Sequence, residues 1–387
     1  MFLSLIGSWI QSMAQSWLVF NLTHSAFLMG LVGFLSYLPI TLFSLAAGVF
    51  VDRVAKRNLL IGTQLTFMIL AFILAIFVQN KVIQVWQIIV IAFLSGLVLS
   101  FDAPARQAMV VELVGKEHLL NAIALNSAVF NSARIIGPAL AGILIALIGM
   151  AGCFYVNALS YLPVVLALIL IKPKPAVVQT KNNTFSQDIK ETFGLIRNNP
   201  FVLFLLGVVG LVSTFGVSYT ILMPIFAQEI LKSGAMGLAV LMSSSGIGAL
   251  AGALNLARLK QTESKIRILN VSIIIFFVSI MLFSFSHSLK LSSLMLVLTG
   301  YGGVSSTSLA NTLLQINIPD GHRGRIMAVF TMMFMGFMPF GSLIFGSLAY
   351  WFGAPAVVFF CALLSLILYI LVAKKFKNVF SLKASLT

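Results

Sequence analysis

Apolar residues run along the chain in long blocks, and polar residues collect in the gaps between them. A block of about twenty apolar residues is the length that crosses a bilayer as a helix. Such blocks fall near 2–20, 28–51, 59–78, 85–105, 122–147, 152–171, 201–223, 234–256, 267–286, 290–312, 326–348 and 354–373. Helix is the expected state of each, because hydrocarbon offers backbone groups no partner outside the segment. The runs are continuous rather than alternating, which argues against a transmembrane β-barrel. The pattern predicts an all-α polytopic membrane protein with twelve transmembrane helices.

The gap from Lys172 to Pro200 is far longer than the others. It holds Lys172-Pro173-Lys174-Pro175 and then an amphipathic stretch around Ser186–Arg197, read as a linker carrying an interfacial helix. The expected organisation is a six-helix bundle over 1–172, a cytoplasmic linker over 173–200, a second six-helix bundle over 201–373 and a basic cytoplasmic tail over 374–387. An internal repeat supports two related halves. At an offset of 204, Gly30, Gly33, Gly48, Gly96, Gly137, Gly142 and Gly149 fall on Gly234, Gly237, Gly252, Gly300, Gly341, Gly346 and Gly353. Glycines mark close helix contacts in membranes, so halves that repeat them should share one fold. Parallel six-helix repeats about an axis along the membrane normal are a transporter pattern.

Composition sharpens this picture. Of 387 residues, 60% are hydrophobic and 9% charged, and the mean hydropathy is +1.08. A soluble domain carries roughly a quarter charged residues, so a soluble enzyme and a disordered chain are both excluded. The net charge of +15 follows the loops. Of the 24 Lys and Arg, Lys81, Lys232 and Lys290 lie in one set of loops, Arg134 lies within a span, and the rest lie in the alternate set. That split places both termini in the cytoplasm and makes nucleic acid an unneeded partner. No cleavable signal peptide is expected, because Met1 runs directly into the first apolar block. Cys153 and Cys361 sit inside apolar runs and imply neither a disulfide framework nor a metal site.

Three motifs carry a resemblance. Gly48-Val-Phe-Val-Asp52-Arg53-Val-Ala-Lys56-Arg57 resembles the cytoplasmic loop motif of the major facilitator superfamily. Asp52, at a helix end, could pair with a basic group or a helix N-terminus of the other half and hold the inward side closed. The same residues also read as an ordinary basic loop. The equivalent Leu256-Ala257-Arg258-Leu259-Lys260 has no aspartate, so the main charged latch is expected on the first half. Arg134-Ile-Ile-Gly137-Pro138-Ala-Leu-Ala-Gly142 is similar to the superfamily's glycine–proline motif of exporters and antiporters. Pro138 should bend its helix, and Gly137 and Gly142 should admit a neighbour; a plain packing kink is the alternative. Phe101-Asp102-Ala-Pro104-Ala-Arg106-Gln107-Ala108, followed by Asn121-Ala-Ile-Ala-Leu-Asn126-Ser, resembles the branch containing the enterobactin exporter and the transmembrane secretion effectors. The likeness runs from about residue 4 to residue 373. It implies the major facilitator fold and a proton-driven exporter of small molecules, siderophores and drugs being known substrate classes. It also implies residence in the bacterial inner membrane, with protons, lipid and a small-molecule substrate as partners. The chain is expected to act as a monomer without a cofactor.

Charges inside the membrane are costly and informative. Arg134, near mid-depth, is expected to pair with Asp102 or with an anionic substrate, and Asp102, Arg106 and Arg134 are read as one charge cluster. Asp102 and Glu229 are the candidate carboxylates for proton coupling. Ser8, Gln11, Ser12 and Gln15 share a helix face; with Asn126, Phe130, Asn131, Arg134, Tyr301, Ser305, Ser308 and Asn311 they are candidates for the cavity wall. Polar residues that merely join helices are the alternative. The Met332, Met333, Phe334 and Met335 cluster reads as core. His24, His118, His287 and His322 form no metal signature, and no P-loop lysine motif is present, so direct ATP drive is excluded. The leading reading is a secondary exporter working by alternating access. Its rivals are a lipid-like flippase or uptake system of the same fold, and a receptor or scaffold that transports nothing.

Overall fold

The computed structural model describes residues 2–114, 118–171, 185–258, 265–318 and 320–375. Regular structure among the described residues is entirely helical. The first half supplies α1 (Phe2–Thr23), α2 (Ala26–Arg53), α3 (Lys56–Gln79), α4 (Val85–Val114), α5 (Leu119–Ser160) and α6 (Leu162–Leu170). The amphipathic stretch in the long polar gap is helical as expected and forms α7 (Phe185–Asn198). Then come α8 (Pro200–Leu211), α9 (Met223–Ile225), α10 (Gly234–Ala257), α11 (Lys265–Ser284), α12 (Leu289–Asn317), α13 (Asp320–Gly336), α14 (Met338–Phe352) and α15 (Ala354–Lys375).

Each apolar block lies on helix, yet the helices are less regular than the blocks suggest. Gly149 breaks α5 with φ of 71° and ψ of 179°, so α5 is two limbs, the second continuing past Tyr161 into α6. The seventh block is one irregular rod from Pro200 to Ile230. Between α8 and α9 it takes a π turn over Val212–Val217 and a 3-10 turn over Ser218–Leu222, and a second π turn follows over Phe226–Ile230. The eleventh block breaks at Phe337, between α13 and α14, just ahead of Pro339. By length and apolarity, nine helical stretches among the described residues suffice to cross a membrane. The polar residues of α1 and α12 keep those two helices out of that set, and the two limbs of α5 count as one stretch.

Packing follows the repeat. In the first half α1 lies on α5, α2 on α4, and α3 on both α4 and α5. In the second, α10 lies on α12, and α11 on α12 and α15. Two seams join the halves, α2 against α14 and α5 against α10. These seams are equivalent under the 204-residue offset, which carries α2 onto α10 and the first limb of α5 onto α13 and α14. Gly30 shows why the glycines recur: a Cβ there would lie 2.7 Å from the Gly346 Cα. Opposite, a Cβ on Gly142 would lie 2.6 Å from the Ala239 Cβ.

The two ends of the bundle differ. At one end the helices are joined by tight turns with left-handed residues: His24 (φ 46°), Lys81 (φ 57°), Gly149, Lys232 (φ 50°), Gly234 (φ 63°) and Gly353 (φ 78°). The other end carries Arg53, Lys56, Arg57, Arg258, Arg325 and α7. There Glu191 of α7 meets Arg325 of α13 at 2.7 Å, and Thr192 and Ile196 are buried beneath it.

Candidate substrate and gating sites

The predicted charge cluster separates into two sites. Asp102 of α4 is wholly buried and accepts hydrogen bonds from Thr63 Oγ1 at 2.8 Å and Gln64 Nε2 at 2.7 Å, both on α3. Its other oxygen is paired with Arg106, one helical turn along α4. A buried carboxylate is tolerable only when paired and hydrogen-bonded in this way. Arg106 therefore takes the role expected of Arg134, because i,i+4 spacing brings it to Asp102 on the same helix.

Arg134 lies elsewhere, at mid-length of the first limb of α5, half-buried. Its Nη2 donates to Ser245 Oγ of α10 at 3.3 Å, and its guanidinium lies 6.0 Å from the Trp9 ring centroid. Phe130 meets Trp9 edge-on at 6.0 Å, and the Tyr219 phenol of the irregular rod is near enough to feel the Arg134 charge. No carboxylate among the described residues pairs with Arg134. A guanidinium offers five donors and cannot shed its proton, so this one has unused capacity at a junction of the two halves. Trp9, Tyr219 and Ser245 were not singled out from sequence. Only the repeat hints at Ser245, which it pairs with Thr41 of the other seam.

Two of the remaining polar candidates, Gln11 and Tyr301, join helices. Gln11 accepts from Asn157 Nδ2 at 2.6 Å, tying α1 to the second limb of α5. Tyr301 accepts from Asn255 Nδ2 at 2.6 Å, tying α12 to α10, and Asn311 accepts from Gln315 on its own helix at 2.5 Å. Gln15 and Asn131 are half-buried, and Asn126 is exposed on α5. Glu229 is exposed in the π turn at the tight-turn end and makes no ion pair among the described residues. Met333 packs on the core as expected. His322 falls among residues whose side chains lie outside the described set.

The basic loop motif is bound within the first half. Lys56 meets Glu112 of α4 at 3.3 Å. Arg57 donates to the carbonyls of Leu168 at 2.6 Å and Ile169 at 2.5 Å, at the last turn of α6. Those carbonyls are orphaned at a helix C-terminus, where a cation is favoured. Asp52 and Arg53 close α2, and the Asp52 side chain lies outside the described set. Gly48 has open space beside it: a Cβ there would meet nothing within 4 Å. In the glycine–proline motif, a Cβ on Gly137 would strike Trp9, so the motif brings α1 and α5 together beside Arg134.

Residues 1–384 match the family described as transmembrane secretion effector. The staphyloferrin A transporter of Staphylococcus aureus is 25% identical over 354 residues, covering 91% of this chain and 88% of its own. The enterobactin exporter EntS of Salmonella typhi is 25% identical over 85% of this chain and 79% of its own. Macrolide efflux protein A of Streptococcus pyogenes is 24% identical over 72% and 69%. Among solved structures, a bacterial homologue of the human lysosomal transporter Spinster, inward-facing and unoccupied, superposes with a TM-score of 0.74 at 12% identity, covering 97% of this chain and 95% of its own. The nucleoside transporter NupG superposes with a TM-score of 0.71 at 16% identity, covering 97% of both chains. These likenesses establish the major facilitator fold.

Proposed function

Because the chain belongs to the transmembrane secretion effector family of major facilitator transporters, we propose that this membrane transporter exports a small organic anion by alternating access. One observation carries the reading: a permanent cation stands at mid-span, at the junction of α5 and α10, held by a hydroxyl and a ring instead of a carboxylate. An intramembrane charge must be paired or face a wet cavity. A carboxylate or catecholate would supply the missing bidentate acceptor. Export is favoured by the Gly137-Pro138 motif and by relatives named for efflux and siderophore export.

The halves on either side of the linker act as the two moving bodies, each of six spans, with the linker, both termini and the Arg53–Arg57 loop in the cytoplasm. Lys56, Arg57 and Asp52 belong to the inner gate. Proton antiport is assigned to Asp102 in preference to Glu229. Protonation of Asp102 would release Arg106 and loosen α4 from α3, whereas Glu229 has no described partner to release.

The test is transport into proteoliposomes under an imposed pH gradient, with a carboxylate siderophore, a catecholate siderophore and a cationic macrolide compared. Arg134→Ala should abolish anion transport and spare the macrolide. Arg134→Lys keeps charge but loses the fork, and anion transport should fall about tenfold or more. Normal anion transport by Arg134→Ala would refute the site.

A further inference from the structure

The two seams share a device that the glycine repeat alone does not reveal. In α5, Pro138 lacks an N–H, so the carbonyl of Arg134 loses its intrahelical donor. Gly246 of α10 lies against that oxygen, where a Cβ would stand 3.1 Å away. The next carbonyl, that of Ile135, accepts the Ser243 hydroxyl of α10 at 3.0 Å. In the other seam the break at Phe337 and Pro339 orphans the last carbonyls of α13. The carbonyl of Gly336 accepts the Thr41 hydroxyl of α2 at 3.0 Å. Each seam thus has a proline-disrupted helix in which a backbone carbonyl beside the break is taken by a hydroxyl of the opposite half.

We infer that Thr41–Gly336 and Ser243–Ile135 are the paired pivots on which the two halves rock, an inference that rests on the alternating-access reading above. Thr41 lies near the middle of α2, Ser243 near the middle of α10, and Ile135 near the middle of its limb of α5. When two rigid bodies rock, contacts at either end must part, and displacement is smallest at mid-depth. A hydroxyl suits a pivot, because its proton rotates freely and a carbonyl oxygen accepts over a broad range of directions. In hydrocarbon no water competes for the carbonyl, so the bond has reason to persist through the motion. The glycine contacts, Gly30 with Gly346 and Gly142 with Ala239, lie nearer the tight-turn end and are the contacts that separate.

The experiment uses the full chain in lipid nanodiscs, with spin labels at Lys81 and Lys232 for one end and at Asn58 and Arg258 for the other, all exposed positions. The wild type should give two distances at each end, exchanging population between pH 5.5 and pH 7.5. The Thr41→Val, Ser243→Ala double variant keeps the shapes and removes both hydroxyls. The pivots predict that both distance peaks persist at both ends and broaden about twofold, while Thr41→Ser stays narrow. Gly30→Ala, at an ordinary seam contact, should instead move population from one peak to the other without broadening. Unchanged widths in the double variant, or a shift of population alone, would overturn the pivots while leaving alternation intact. A wild type with one fixed distance at both ends would overturn the alternating-access reading, and the pivots with it.

Discussion

At the scale of single residues, two half-buried positive charges have opposite circumstances. Arg106 neutralises Asp102 inside one half, whereas Arg134 meets a hydroxyl across the junction and an aromatic ring of its own half. Removing one partner of a buried pair strands the other charge, at about 3–5 kcal/mol. Arg106→Ala should therefore depress thermal stability in detergent sharply, and adding Asp102→Asn should restore most of it. Arg134→Ala strands no carboxylate and should lower the melting temperature little; comparable losses in the two variants would contradict this division. Sequence places Arg134 alone within a span and reads Asp102, Arg106 and Arg134 as one cluster; in the structure Asp102 pairs with Arg106 and Arg134 stands apart. Nothing in a linear chain says which neighbour a long side chain meets, while the i,i+4 partner on the same helix is the nearest by geometry.

The elements were legible wherever apolarity alone decides them. Block limits from sequence lie within a few residues of α2, α3, α10 and α15 at most ends. The departures have local causes: a left-handed glycine in α5, π turns after α8, and a proline just past the break before α14. Hydropathy does not register these, because a bent or bulged helix is as apolar as a straight one. Glycines likewise look alike in sequence and differ in place. Gly30→Ala drives a methyl into the Gly346 backbone and should destabilise by about 1–3 kcal/mol. Gly48→Ala meets open space and should be neutral or stabilise by up to about 1 kcal/mol through helix propensity. Thermal unfolding of the two variants checks the contrast. Between elements, Glu191 and Arg325 form a partly exposed pair that should contribute under about 1 kcal/mol. The burial of Ile196 holds α7 down more firmly, so Ile196→Asp should expose the linker to protease and Glu191→Ala should not.

For the whole molecule, the proposed orientation makes a direct prediction. Both native cysteines are buried, so labelling of intact cells reports introduced ones. A membrane-impermeant thiol reagent should reach Lys81→Cys and miss Arg197→Cys; the reverse pattern would invert the topology. The repeat was the most informative whole-chain signal in the sequence, because it pairs the seam glycines before any contact is known. Which hydroxyls close the seams was not legible, since Ser and Thr in membrane helices bond mainly to their own backbone and give no outward sign of a partner across the bundle.

The left-handed turns at one end bear on how the protein is made. His24 and Ser25 alone separate α1 from α2, a single glycine divides the limbs of α5, and Gly353 alone separates α14 from α15. Under the proposed orientation these are the stretches that must be carried through the bilayer during synthesis. Each holds few polar groups, and of the lysines and arginines only Lys81, Lys232 and Lys290 are carried across. Neighbouring helices can therefore enter as ready-made hairpins, with almost no hydrophilic freight to translocate, while the bulky charged segments stay on the side where the ribosome delivers them.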